Sequence, residues 1–79
     1  MKNVKYYTIA AVIEENDLNP YGKEYIGTVK LMEQAIEAGK RIAAKHDKPV
    51  DVTQCCIDPT KNRTVRYFPD GSHVQLWKL

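Results

Sequence analysis

Two adjacent cysteines, Cys55 and Cys56, are the side chains of this sequence with the most chemistry in them. They stand in "VDVTQCCID", a strand-like stretch, so their sulfurs are expected on opposite faces of a sheet. Zinc half-sites and thioredoxin-like redox pairs both need a spacing that lets two sulfurs converge, and a bond between neighbours would strain an extended backbone. The expected role of one or both is that of a small core hydrophobe. A cysteine nucleophile would also need a histidine to hold it as a thiolate. The two histidines are His46, in the last turn of a helical pattern, and His73, which opens the last strand-like segment. Glu14 and Glu15 end a strand pattern, and Glu33 and Glu37 fall on the polar side of a helix pattern, where carboxylates solvate rather than exchange protons with a substrate. There is no Ser/His/Asp set, no glycine-rich phosphate loop and no helix-borne metal motif. The expectation is a protein that is not an enzyme and uses neither cofactor nor metal.

What remains is recognition chemistry. In "NRTVRYFPDG", Arg63 and Arg66 are interleaved with aromatic residues that include Phe68, a combination that can stack bases or anchor a protein interface. The stretch lacks the glycine-and-aromatic pattern of an RNA-recognition strand. Lys40, Arg41 and Lys45, with Lys30 and Lys48, form a basic side of the helix suited to phosphate or to an acidic protein surface. A third candidate contact is the turn-rich stretch "NDLNPYGKEY", where Tyr21 and Tyr25 flank Lys23 and Glu24. Tyr6, on the second face of the first strand, completes the candidate set.

These residues need elements to position them. Seventy-nine residues make one domain, with a small core that buries roughly 60–65% of the unfolded chain's surface. With 43% hydrophobic and 28% charged residues the chain is expected to fold. A net charge of +2 is too small to make nucleic acid the default partner. The first apolar run is short and is not followed by a small-residue cleavage site, and no stretch approaches the roughly 20 apolar residues of a membrane span. A soluble, cytoplasmic protein is expected.

"KYYTIAAVI", residues 5 to 13, reads as a strand with Tyr7, Ile9, Ala11 and Ile13 on one face and Tyr6, Thr8, Ala10 and Val12 on the other, both nearly apolar. The next stretch, as far as Gly27, reads as a long connection. Thr28 is placed as the N-cap of a helix that Pro49 stops. Leu31, Met32, Ala35, Ile36, Ala38, Gly39, Ile42 and Ala43 share its buried face, and Gly39 reads as a close-packing site against a strand. Three strand-like segments follow, "VDVTQCCID", "RTVRYF" and "SHVQLWKL", separated by "PTKN" and "PDG", so an antiparallel meander is expected. The predicted fold is α+β: a single β-α-β-β-β domain, residues 1–79, with one mostly antiparallel sheet and one helix on one face.

In size and element order the chain resembles small phage-encoded anti-defence proteins, including anti-CRISPR inhibitors. The resemblance spans the whole chain and rests on architecture. It implies a non-catalytic inhibitor that docks on a bacterial nuclease complex, and it transfers no functional residue. The expected activity is therefore protein–protein contact. The alternatives are direct RNA or DNA binding through the basic and aromatic residues, and a homodimer in which open sheet faces pair.

Overall fold

The structure of the protein, a computed structural model, describes residues 4–14 and 22–76. Five strands, β1 (Val4–Val12), β2 (Lys23–Val29), β3 (Val50–Cys56), β4 (Arg63–Tyr67) and β5 (His73–Gln75), form one sheet in the order β2-β1-β3-β4-β5. Every neighbouring pair is antiparallel. A single helix, α1 (Met32–His46), packs on one face, and a 3-10 turn (Pro59–Lys61) joins β3 to β4. The α+β class, the lone helix and the C-terminal antiparallel meander are as the sequence predicts.

One element differs. Lys23–Val29, read as part of a long connection, is the edge strand β2. Tyr25, Ile26, Thr28 and Val29 are good strand formers, but the alternation that would reveal them is broken. Ile9 pairs with Gly27 and Ala10 with Tyr25, which leaves Ile26 as the extra residue of a bulge. The bulge brings Tyr25 and Thr28 to the same face, and their hydroxyls are hydrogen-bonded. Backbone pairing of Ile13 N–H with Gly22 C=O, 2.8 Å, closes the base of the β1–β2 connection. Tyr21 lies outside the described residues.

The same difference moves the helix start. Thr28 belongs to β2, and the N-cap is Leu31, which offers no side-chain acceptor. At the other end Asp47 takes a left-handed φ of 53° and its N–H bonds to the Ala43 carbonyl, two residues before Pro49. Ala35, Gly39 and Ala43 are buried at the helix–sheet contact, while Leu31 and Met32, expected on the buried face, are 60% and 54% exposed. They are the N-cap and first residue of the helix, and both line an open hollow with Val4, Tyr7 and Gln54.

The core is Tyr7 and Ile9 of β1, Val50 and Val52 of β3 and Tyr67 of β4, beneath Ala35 and Ala43. Gly39 is the close approach that the sequence predicts. A Cβ there would lie 2.7 Å from Val52 Cγ2 and 3.0 Å from Tyr67 Cδ2, so only hydrogen fits without displacement. Burial raises the Tyr67 hydroxyl pKa above its ordinary value. At the β4–β5 turn Gly71 has φ 93°, and the Phe68 and Ser72 backbones pair at 2.9 Å. The Asp70 carboxylate accepts from the Ser72 hydroxyl and amide, which holds its pKa below the ordinary range.

Candidate functional site

The sheet face opposite α1 is built from two cross-strand rows. The first runs Tyr25, Ala10, Asp51, Arg66, Val74 across all five strands. The second runs Thr28, Thr8, Thr53, Thr64 across four, and the Thr53 and Thr64 hydroxyls share a hydrogen bond of 3.0 Å. Each strand contributes here the residues that alternate with its helix-facing set, so these rows follow from the same period that builds the core.

Asp51 is the organising charge. Its side chain is 1% exposed, flanked in sequence by the core residues Val50 and Val52. Arg66 donates to both of its oxygens, Nε at 2.8 Å and Nη2 at 3.1 Å, a bidentate geometry in which the guanidinium fork matches the carboxylate. Lys23, from the edge strand, places Nζ 3.0 Å from Oδ2. The hydrogen bond to Asp51 raises the Arg66 pKa, opposed by partial burial. The three side chains tie β2, β3 and β4 together across β1, and with both carboxylate oxygens engaged the arrangement suits bracing more than proton transfer.

Around this centre Tyr25 is 65%, Val74 43% and Tyr6 36% exposed. Tyr6 faces Cys55 across the β1–β3 ladder, and the Lys5 ammonium lies 5.7 Å from its ring centroid. The face is therefore a polar, hydroxyl-rich surface with apolar and aromatic margins. The expectation that β1 is nearly apolar on both sides describes its own residues, Thr8 apart, whereas Thr28, Thr53, Thr64 and the ion cluster come from the other strands.

The candidate contact residues are distributed over the molecule. Arg66 and Lys23 meet at Asp51. Arg63 is on the helix side, beside Tyr7, Met32 and Gln54, and donates to the Asn62 carbonyl at 3.1 Å. Phe68 is half-buried where β4 enters its turn, and Lys40, Arg41 and Lys45 are exposed on the helix. The structure thus separates Arg63 from Arg66, with the sheet between them.

Cys55 and Cys56 point to opposite faces as expected. Cys55 is half-buried near Thr8, and its thiol donates to the Thr53 carbonyl at 3.7 Å. Cys56 is buried, with its thiol on the Lys61 carbonyl at 3.4 Å. His46 lines a hollow with Ala11, Ile42 and Val50, and the His73 ring lies 5.7 Å from that of Tyr67. Among the described residues no three His, Cys, Asp or Glu side chains group as metal ligands, and no helix is long and apolar enough to cross a membrane.

Asp51, Thr53, Thr64 and Val74 are the face residues that the sequence reading does not single out. One signal was available: an aspartate between two valines in a strand is an unfavourable choice, and a buried acid requires a cation. Comparison with protein-family models, curated proteins and solved structures returns no match.

Proposed function

We propose that the protein is a non-enzymatic binding protein that acts by protein–protein contact through the sheet face opposite α1. Following its architectural resemblance, we assign its partner to the bacterial defence nuclease complexes, which it inhibits. The observation that carries the reading is this face itself: among the described residues no element packs on it, yet it is ordered by a braced carboxylate and rimmed by Tyr6, Tyr25 and Val74. Aromatic residues on a rigid surface are the usual anchors of protein interfaces. Nucleic acid is less favoured on this face, because Lys23 and Arg66 are spent on Asp51 and phosphate binding needs cations to neutralise it.

The test is phage plating on a CRISPR-immune host that expresses the chain. Restored plaque formation is expected, and it should be lost with Tyr25→Ala or Thr53→Arg but kept with Lys40→Glu/Arg41→Glu, each variant checked for folding by circular dichroism. Failure to protect phage against any defence complex tried would overturn the assigned partner, and full activity of both sheet-face variants would overturn the assigned surface. Oligonucleotide binding that falls steeply with salt would move the protein to the nucleic-acid class.

A further inference from the structure

On the helix side, α1 and β4 enclose a crevice of about 300 Å³ with one closed end and one open end. At Gly39 the helix lies so close to Val52 and Tyr67 that a Cβ would meet both side chains, and this contact shuts the crevice at its base. About two turns nearer the helix N-terminus, Met32 and the cross-strand row Arg63, Gln54, Tyr7 line the other end. Met32 and Arg63 are exposed, so this end is open. A second hollow, lined by Val4, Lys30 and Leu31, adjoins it there, since Tyr7, Met32 and Gln54 line both.

The lining separates into two chemistries. Towards the base the walls are apolar, with Ile36 from the helix and Val52 and Val65 from the sheet. Among the described residues that line the two hollows, the charged ones are Arg63 and Lys30, both cations and both at the open end. One Arg63 N–H goes to the Asn62 carbonyl at 3.1 Å, and a guanidinium carries further donors in a planar fork that matches a carboxylate. Met32, between the two cations, has an unbranched thioether side chain that adapts its shape to an apolar occupant.

We propose that this crevice is a binding site for a medium-chain aliphatic carboxylate, with its chain between Ile36 and Val65 and its carboxylate at Arg63 and Lys30. The volume sets the length, because it falls at the lower end of the roughly 300–1,000 Å³ of small-molecule pockets. The charge sets the head group, because an anion is attracted by both cations and a cationic head is repelled by both. Burial of the chain removes its own apolar surface and that of the walls from water. The site lies across the sheet from the surface proposed above and does not rest on that reading.

The test titrates decanoate, below its micellar concentration, into the full chain, read by calorimetry and by amide chemical shifts. Saturable binding of a single equivalent is expected, with shifts at Met32, Ile36 and Val65 and none at Tyr25 or Val74 on the opposite face. Decyltrimethylammonium, which has the same chain and the opposite charge, should not bind. Arg63→Glu should weaken decanoate binding by about tenfold or more, as the loss of a hydrogen bond to a charged group does. Lys40→Glu makes the same change in net charge on the polar side of the helix and should leave the affinity as it was. The comparison of the two amphiphiles uses the parent chain, so it decides the matter even where Arg63→Glu fails to fold. An absence of saturable binding, equal binding of both amphiphiles, full affinity in folded Arg63→Glu, an equal loss in both variants, or shifts centred on the opposite face would each overturn the proposal. Crevice amides that move when the protein alone is diluted would assign the crevice to a second copy, and would overturn it as well.

Discussion

Asp51 shows how a single buried charge can organise a surface. Taking a carboxylate out of water costs several kcal/mol unless partners replace its hydration, and here Arg66 contributes two hydrogen bonds and Lys23 an ion pair. The partners are not equal, because the Lys23 side chain is 43% exposed and that of Arg66 30%, and solvent screens the more exposed pair more strongly. Asp51→Asn is expected to destabilise the fold by about 2–4 kcal/mol, since it leaves two cations facing a neutral amide. Lys23→Ala should cost about 1 kcal/mol or less, with Arg66→Ala between them. Urea midpoints of the three variants give the order, and a Lys23→Ala loss equal to that of Asp51→Asn would mean that the cluster is not centred on Arg66.

At the scale of elements, α1 is stabilised by what it packs on more than by its ends. Ala35, Gly39 and Ala43 let it lie close to β1, β3 and β4, while its N-cap, Leu31, leaves the first-turn amides without a side-chain acceptor. Leu31 already has the extended backbone of a cap, φ −104° and ψ 136°, and is 60% exposed, so replacing it removes little burial. Leu31→Asp is expected to stabilise the protein by about 0.5–2 kcal/mol, through a hydrogen bond to the first turn and a negative charge at the positive end of the helix dipole. A rise in melting temperature checks this, and an unchanged or lower value would show that the Leu31 side chain supports the neighbouring contacts in a way its exposure conceals.

The molecule is a two-layer domain with a Cα radius of gyration of 12.3 Å, and among the described residues no element packs on the sheet face opposite α1. Stable homodimer interfaces bury about 800 Å² or more per partner and are richer in apolar surface than other contacts. This face presents hydroxyls and an ion cluster at its centre instead. Light scattering across a dilution series is therefore expected to give the mass of a single chain from high concentration down to the sub-micromolar range. A dimer that persists on dilution would assign the face to a second copy and withdraw it from any other partner.

The sequence by itself determined what depends on near neighbours. The 3.6-residue period carried α1, the two-residue period placed Cys55 and Cys56 on opposite faces, and Pro69, Asp70 and Gly71 marked the last turn. The three-residue separation of Arg63 and Arg66 already implied opposite faces of a strand, although the segment read as one basic and aromatic patch. The edge strand β2 was hidden because the bulge at Ile26 and the glycine at position 27 interrupt its alternation. Only the tertiary structure decided that Thr8, Thr28, Thr53 and Thr64 share a row and that Lys23 and Arg66 meet at Asp51. Cross-strand register joins residues far apart along the chain, and local periodicity says which face a side chain takes but not which neighbours it meets there.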